Sequence, residues 1–435
     1  MKRLGLCLVA FCLAGVLQAQ EPAPGSSGAP GEAADEWDID SLFGEPLPDS
    51  GGAGESAAGL PDTGGTGETG LAGMIRKRGL VLDAAYFFYG GVSPGWDEAP
   101  WYWNDTDETY STLPGAGISS ALGLDFQISE RLRVKNLFTF ALPDLAFTVK
   151  EVFVDYNLLD RVFLRGGKFT QRWGVSPNYP NADLLSRLPP NNSGGDPYTV
   201  KADVPIGAGG LELLAMTRPG FFGNAALPEV AGIGFGGKYN LAYPWADIEA
   251  GIFYHWEMPL RNFLSVKSAV LNTDLYAEGM VSVCHNPWGT VQGAGAAGFV
   301  RNFFSGKLIV NGEYSYNGEE DARYFIAETK LEAAEVSSFA YGHNVAVNVL
   351  YRTGFFWDLR IMVQCLYSIT ENSARLVPGL SMAPFPHIGI SLGVPMALGS
   401  RDGVYYRRNA DRNNRPFSMV LLVSISGDYR SGYAP

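Results

Sequence analysis

The chain has 435 residues, of which 18% are charged, 46% apolar and 13% aromatic, with a net charge of −13 and only four cysteines and four histidines. So few cysteines exclude a disulfide scaffold. Beyond the first twenty positions no run of about 18 apolar residues occurs, which excludes a bundle of membrane-spanning helices.

The amino terminus, MKRLGLCLVAFCLAGVLQA, has a basic start at Lys2 and Arg3, an apolar stretch and a small-residue site ending at Ala19. It is expected to be a cleaved secretory signal peptide, residues 1–19. Residues 20–73 are a different material, rich in Gly, Pro, Ala and Ser, with eleven acidic residues and no Lys or Arg. Such a segment buries too little apolar surface to fold alone and is expected to be a disordered tail. The first segment carries two positive charges and the tail eleven negative ones, which leaves −4 for residues 74–435. The low isoelectric point therefore belongs mainly to the tail, and a weakly acidic folded domain argues against nucleic acid as a partner. One island, residues 35–45, sets Trp37, Ile39, Leu42 and Phe43 among acids. Islands of this kind can order on a partner, and these four are candidate partner-binding residues.

From residue 79 the pattern becomes period two, as successive side chains of a strand point to opposite faces. In WADIEAGIFYHWE, residues 245–257, Ile248, Ala250, Ile252, Tyr254 and Trp256 share one face, and Asp247, Glu249, Gly251, Phe253, His255 and Glu257 the other. Leu132, Val134, Phe138 and Phe140 alternate with Arg131, Arg133, Lys135 and Thr139. The same alternation recurs at 307–316, 343–352, 357–369 and 419–425. Segments of about ten residues, alternating and separated by turn residues, are the signature of a transmembrane β-barrel. Sixteen strands are expected, near 80–90, 116–128, 131–142, 145–157, 161–169, 205–217, 230–241, 245–257, 267–283, 289–302, 306–316, 343–352, 357–369, 373–382, 387–398 and 416–429, with fourteen as the alternative count. Short connections at 128–131, 159–160, 304–306 and 354–356 alternate with long polar ones at 91–115, 170–204, 317–342 and 399–415. Short turns at one end and long loops at the other suit an outer-membrane barrel. Tyr, Trp and Phe near the strand ends suit its two interfaces with water. A secreted β-sandwich is the soluble alternative.

The long segment 170–204 stands out. It is rich in Pro, Asn, Gly and Asp, yet it carries Trp173, Tyr179, Leu184, Leu185 and Leu188. A loop of this length inside a compact chain is functional or disordered, and its large apolar groups favour a loop that folds into the lumen and narrows it. The pieces Gly167-Lys168, Arg172-Trp173-Gly174 and Asn181-Ala182-Asp183-Leu184-Leu185 follow the form G-K-x(3)-R-W-G and then A-D-L. This resembles a strand-to-loop motif of porin-like bacterial outer-membrane barrels, and the acidic Gly/Pro-rich tail resembles that of uncharacterised barrels of spirochaetes. The resemblance implies a channel in the outer membrane, surrounded by lipid and inserted by the assembly machinery, that passes small solutes or ions.

Charged rings that line a pore set its ion preference. Arg131, Arg133, Lys135, Arg161, Arg165, Lys168, Arg172, Asp183, Asp247 and Glu249 are the candidate pore-lining residues, with Glu151 and Asp155 as inward candidates on the strand between. The bland alternative is that these charges only pair across strands. No histidine or cysteine spacing marks a metal site, no nucleophile–base constellation stands out, and no cofactor motif is present, so neither catalysis nor a cofactor is expected. A second functional reading is a surface barrel of adhesive type whose long loops bind a partner. It draws on Trp101 and Trp103 in the 91–115 loop, since clustered exposed aromatics mark binding sites.

Overall fold

The computed structural model describes residues 80–96, 110–129, 131–142, 146–169, 171–179, 197–217, 233–255, 259–285, 288–318, 341–354, 357–400, 403–406 and 416–432. The signal segment, the acidic tail with Trp37, Ile39, Leu42 and Phe43, the loop positions Trp101 and Trp103, and Asp183 lie outside them.

The described chain is almost entirely strand. The first half supplies β1 (Leu80–Trp96), β2 (Tyr110–Ser129), β3 (Leu132–Leu142), β4 (Ala146–Leu158), β5 (Val162–Lys168), β6 (Tyr198–Ile206), β7 (Gly209–Thr217), β8 (Ile233–Tyr243) and β9 (Ala246–Tyr254). The second half supplies β10 (Leu260–Val270), β11 (Thr273–His285), β12 (Trp288–Phe303), β13 (Leu308–Asn317), β14 (Gly342–Arg352), β15 (Arg360–Ser368) and β16 (Ser373–Phe385). β17 is interrupted once, as Ile388–Gly393 and Met396–Gly399, and β18 once, as Phe417–Ser418 and Val420–Gly432. The break in β17 falls at Val394-Pro395, where proline has no N–H to give the ladder.

Each strand pairs antiparallel with its neighbours in the chain, and the last returns to the first, with Leu82 opposite Ser431 and Val92 opposite Leu421. The sheet is therefore a closed barrel of eighteen strands. This corrects the expected count of sixteen, or fourteen. Each of the two missing strands lies beyond a two-residue turn that falls inside, or at the start of, an expected strand. The segment expected as a loop up to residue 204 ends in β6, which turns at Gly207 (φ 61°) into β7. The expected strand 267–283 is broken at Leu271-Asn272, with φ of 49° and 60°. Two positive φ values make the tight primed turn that hairpins favour, but leucine is not a residue that announces one. Leu159-Asp160 (56° and 56°) makes the same kind of turn where the sequence predicts it.

Period two sets the faces. Leu264, Phe235, Ile252 and Leu213 point outward and are 53, 53, 47 and 47% exposed, whereas their neighbours Phe253 and Leu214 point inward and are 0 and 5% exposed. A barrel removes its own edges by closing, and here it leaves an outer face dominated by aliphatic and aromatic groups. Connections from even to odd strands are short, as at 159–161, 207–208, 244–245, 271–272 and 386–387. The longest connections, including those that span 169–197, 318–341 and 400–416, lie at the other end.

Candidate functional site

The interior has two unlike walls. From β2 to β9 the inward face carries charged side chains of both signs that pair across neighbouring strands. Asp125 accepts from the guanidinium of Arg133, with Nε at 2.8 Å from Oδ1. Lys135 lies 3.4 Å from Glu151. Arg165 donates to Asp155 through Nε at 2.7 Å and through a terminal nitrogen at 3.1 Å. Its guanidinium also lies 4.3 Å from the Phe153 ring centre and 5.5 Å from that of Phe169, a cation over two aromatic faces. Lys201 lies 3.0 Å from Asp203 and 3.7 Å from Glu212, and Lys238 3.3 Å from Glu249 and 3.9 Å from Glu212. The β2–β6 part of this wall is open, with the Arg133, Lys135, Arg165 and Asp203 side chains 46, 35, 36 and 40% exposed.

The wall from β10 to β16 is polar and more deeply buried. It presents Ser265, Ser282, Asn311, Ser315, Asn317, Asn344, Asn348, Ser368 and Ser373, together with Arg261 and the carboxylates Glu278 and Glu313.

The segment that follows β5 covers the β11–β14 part of this wall, and the 403–406 turn covers its β15–β16 end. Residues 171–179 leave the barrel wall and cross the interior. Trp173 is fully buried in a cluster with Leu214, Met216, Phe253, Phe263, Met280 and Ala294, all inward-facing. Its ring meets Phe253 edge-on, at 6.3 Å and 90°. Gly236 makes the seat: a Cβ there would stand 2.8 Å from Trp173 Cη2. A side chain at this position of β8 would therefore take the space the indole occupies.

Three wall carboxylates hold the polar atoms of the segment. Glu212 accepts from the Trp173 indole N–H at 2.7 Å and from the Gln171 amide at 3.2 Å. Glu278 accepts from the backbone N–H of Val175 at 2.8 Å and of Ser176 at 3.0 Å. Glu313 accepts from the Ser176 hydroxyl at 2.5 Å, the Tyr179 N–H at 2.7 Å and the Asn178 N–H at 3.2 Å. Asn348 donates to the Asn178 side chain at 2.7 Å. At the far end Tyr179 shares a hydrogen bond of 3.0 Å with Tyr405. Tyr405 lies in a single helical turn, 404–406, which is itself folded against β15 and β16: Val404 N–H donates to Glu371 at 2.5 Å and Tyr405 N–H to the Ser373 hydroxyl at 3.5 Å. Burial, then Tyr405 and Glu313, push the Tyr179 phenol well above its ordinary range, so it remains a neutral hydrogen-bonding group.

The candidate residues divide accordingly. Arg133, Lys135 and Arg165 stand together on the open wall, and Glu249 belongs to its inner end. Arg172 is exposed on the crossing segment and donates to the Ser176 carbonyl. Arg131 and Arg161 stand exposed in turns at the short-turn end, and Asp247 is exposed near it, in register with Lys267. Lys168 is a correction. An odd spacing of three residues from Arg165 puts it on the other face, in register with Tyr198 and Val152 and on the side of the exposed Val200. The sequence did not single out Glu212, Glu278, Glu313, Gly236 or Tyr405, since nothing local marks a residue whose partner is far along the chain.

No family model and no curated relative matches the sequence. Among solved structures, OpdQ of Pseudomonas aeruginosa is similar with a TM-score of 0.50 and 8% identity, over 82% of this chain and 99% of that one. The outer membrane protein OpdK of Pseudomonas aeruginosa follows at 0.49 and 9%, over 80% and 99%, and a BenF-like porin from Pseudomonas fluorescens Pf-5 at 0.48 and 9%, over 82% and 100%. At these identities the likeness is one of fold: the chain folds as a closed antiparallel barrel of the kind seen in OpdQ.

Proposed function

We propose that this barrel is an outer-membrane channel for small hydrophilic solutes or ions, narrowed by the segment that crosses its lumen. An apolar outer face, an even number of antiparallel strands, and short and long connections at opposite ends are what a bilayer demands of a spanning sheet. The observation that carries the channel reading is the contrast between the two walls. Residues 171–179 are fastened to the β7–β14 side of the lumen, while the Asp125–Arg133, Lys135–Glu151 and Arg165–Asp155 pairs stay open to water. Solute then passes between a charged wall and the exposed side of the loop, where Arg172 stands. Paired charges of both signs leave a strong local field with little net charge, which favours polar solutes over apolar ones.

Planar-bilayer recording of the refolded protein tests the channel. The loop is tested by replacing residues 170–196 with a short link, leaving β6 in place. Single-channel conductance should rise by roughly twofold or more, as pore width governs conduction. A shortened protein that conducts as the parent does places the loop outside the permeation path.

A further inference from the structure

We propose that Glu313 is the positioning residue of the constriction: one wall carboxylate determines where residues 175–179 cross the lumen, and so sets the aperture. The inference rests on the channel reading above.

Glu313 lies on β13 and is 3% exposed. Both of its oxygens are engaged. Oε1 accepts from Ser176 Oγ at 2.5 Å and from Tyr179 N at 2.7 Å. Oε2 accepts from Tyr276 Oη at 2.8 Å, from Asn178 Nδ2 at 3.1 Å and from Asn178 N at 3.2 Å. Four of these donors belong to the loop and one to the wall. A carboxylate is the side chain suited to this, because an ionised one only accepts and offers about four lone-pair sites. Successive backbone N–H groups that converge on one anion form a concave nest. If the acceptor is removed, the buried N–H groups of Asn178 and Tyr179 are left without a partner, and that cost falls on the docked position. Neighbouring β13 and β14 complete the seat: Asn311 Oδ1 lies 3.4 Å from Asn178 Nδ2, and Asn348 Nδ2 donates to Asn178 Oδ1. Trp173 fixes the near end of the segment, and Glu313 fixes the end that reaches Tyr405.

Two substitutions separate position from charge. Glu313→Gln keeps the shape but turns an amide N–H₂ toward donors. Glu313→Asp keeps the charge but withdraws it by one methylene. Glu151→Gln removes the same charge from the open wall, away from the loop. All three are made in the full chain, and their folding is checked by the mobility shift between unheated and boiled samples. Glu313→Gln and Glu313→Asp should both raise single-channel conductance, by about twofold, and add open-state flicker, whereas Glu151→Gln should move ion preference without flicker. If Glu313→Asp behaves as the parent while Glu313→Gln changes only ion preference, the residue acts through its field and the positioning role is wrong. Amide hydrogen exchange at Val175, Ser176, Asn178 and Tyr179 gives a second readout that needs no conduction. It should quicken by about tenfold or more in both Glu313 variants, and unchanged protection there overturns the proposal whether or not the parent conducts. A parent that never conducts, with exchange quickened in the variants, removes the channel reading and keeps the anchor. Where Glu313→Gln fails to fold, Glu313→Asp carries the test.

Discussion

The indole of Trp173 and the carboxylate of Glu212 meet at 2.7 Å inside the barrel, and both are charged or polar tips on bodies that are otherwise buried. Glu212 also faces Lys201 and Lys238 at 3.7 and 3.9 Å. One side chain thus joins the loop that crosses the lumen to the charged wall beside it. Loss of Trp173 should be felt at the aperture more than in the barrel, whose strands are held by their own ladders. Replacing a buried tryptophan by alanine costs about 3–5 kcal/mol in a packed core. Trp173→Ala should keep the heat-dependent gel shift and raise conductance; a closed, parent-like conductance would show that the ring merely fills space.

Gly236 permits the same contact from the other side. A methyl group at 2.8 Å from Trp173 Cη2 cannot be accommodated without movement. Gly236→Ala should therefore shift the indole and loosen the loop, with a conductance change in the same direction as Trp173→Ala but smaller. Overpacking of this kind costs about 1–3 kcal/mol. Indistinguishable channels would mean that the strand yields instead of the ring.

Arg172 offers the clearest charge experiment. A cation at a narrow point favours anions, and low-dielectric walls strengthen its field. Arg172→Glu should move reversal potentials toward cation preference. The shift should be larger in dilute salt, because screening lengthens from ~10 Å at 0.1 M to ~30 Å at 0.01 M. Equal selectivity in parent and variant at both salt concentrations removes Arg172 from the permeation path.

The outer face makes a prediction about location. Side chains such as Leu264, Ile252 and Phe235 are half-exposed on the outside of the sheet, where lipid can cover them. The protein should fractionate with the outer membrane and run faster before boiling than after. Recovery from the soluble periplasm would be fatal to the membrane assignment.

Residues 20–73, with their eleven acidic side chains and no basic one, are expected to add nothing to barrel assembly. Their deletion should leave the gel shift and conductance as they are. Loss of folding on deletion would make the Trp37–Phe43 island part of the structure.

The barrel itself was legible because period two is a local property. In residues 245–257 the alternation assigned Ile252 outward and Phe253 inward, and they are 47 and 0% exposed. Turns were legible only where residue types announced them, so Leu271-Asn272 passed as strand. The loop's course was legible in Trp173 and Tyr179, since large rings in a polar stretch need somewhere to go. Its anchors were not. Glu212 lies 39 positions from Trp173 and Glu313 lies 137 from Ser176, and an inward carboxylate on a strand looks the same in sequence whether it faces water or a loop. Lys168 departs for a different reason: it lies three residues from Arg165, and an odd spacing on a strand puts it on the opposite face.

The Tyr179–Tyr405 bond joins residues 226 positions apart, and this separation orders events in time. Tyr405 belongs to the connection between β17 and β18, and β18 is also the strand that closes the sheet against β1. Until that last hairpin is in place, Tyr179 keeps the Val345 carbonyl and Glu313 but lacks Tyr405, and the sheet has an open seam. The hairpin that seals the sheet is therefore also the one that brings Tyr405 to the loop, and a chain truncated before the 403–406 turn should be unsealed and lack this contact.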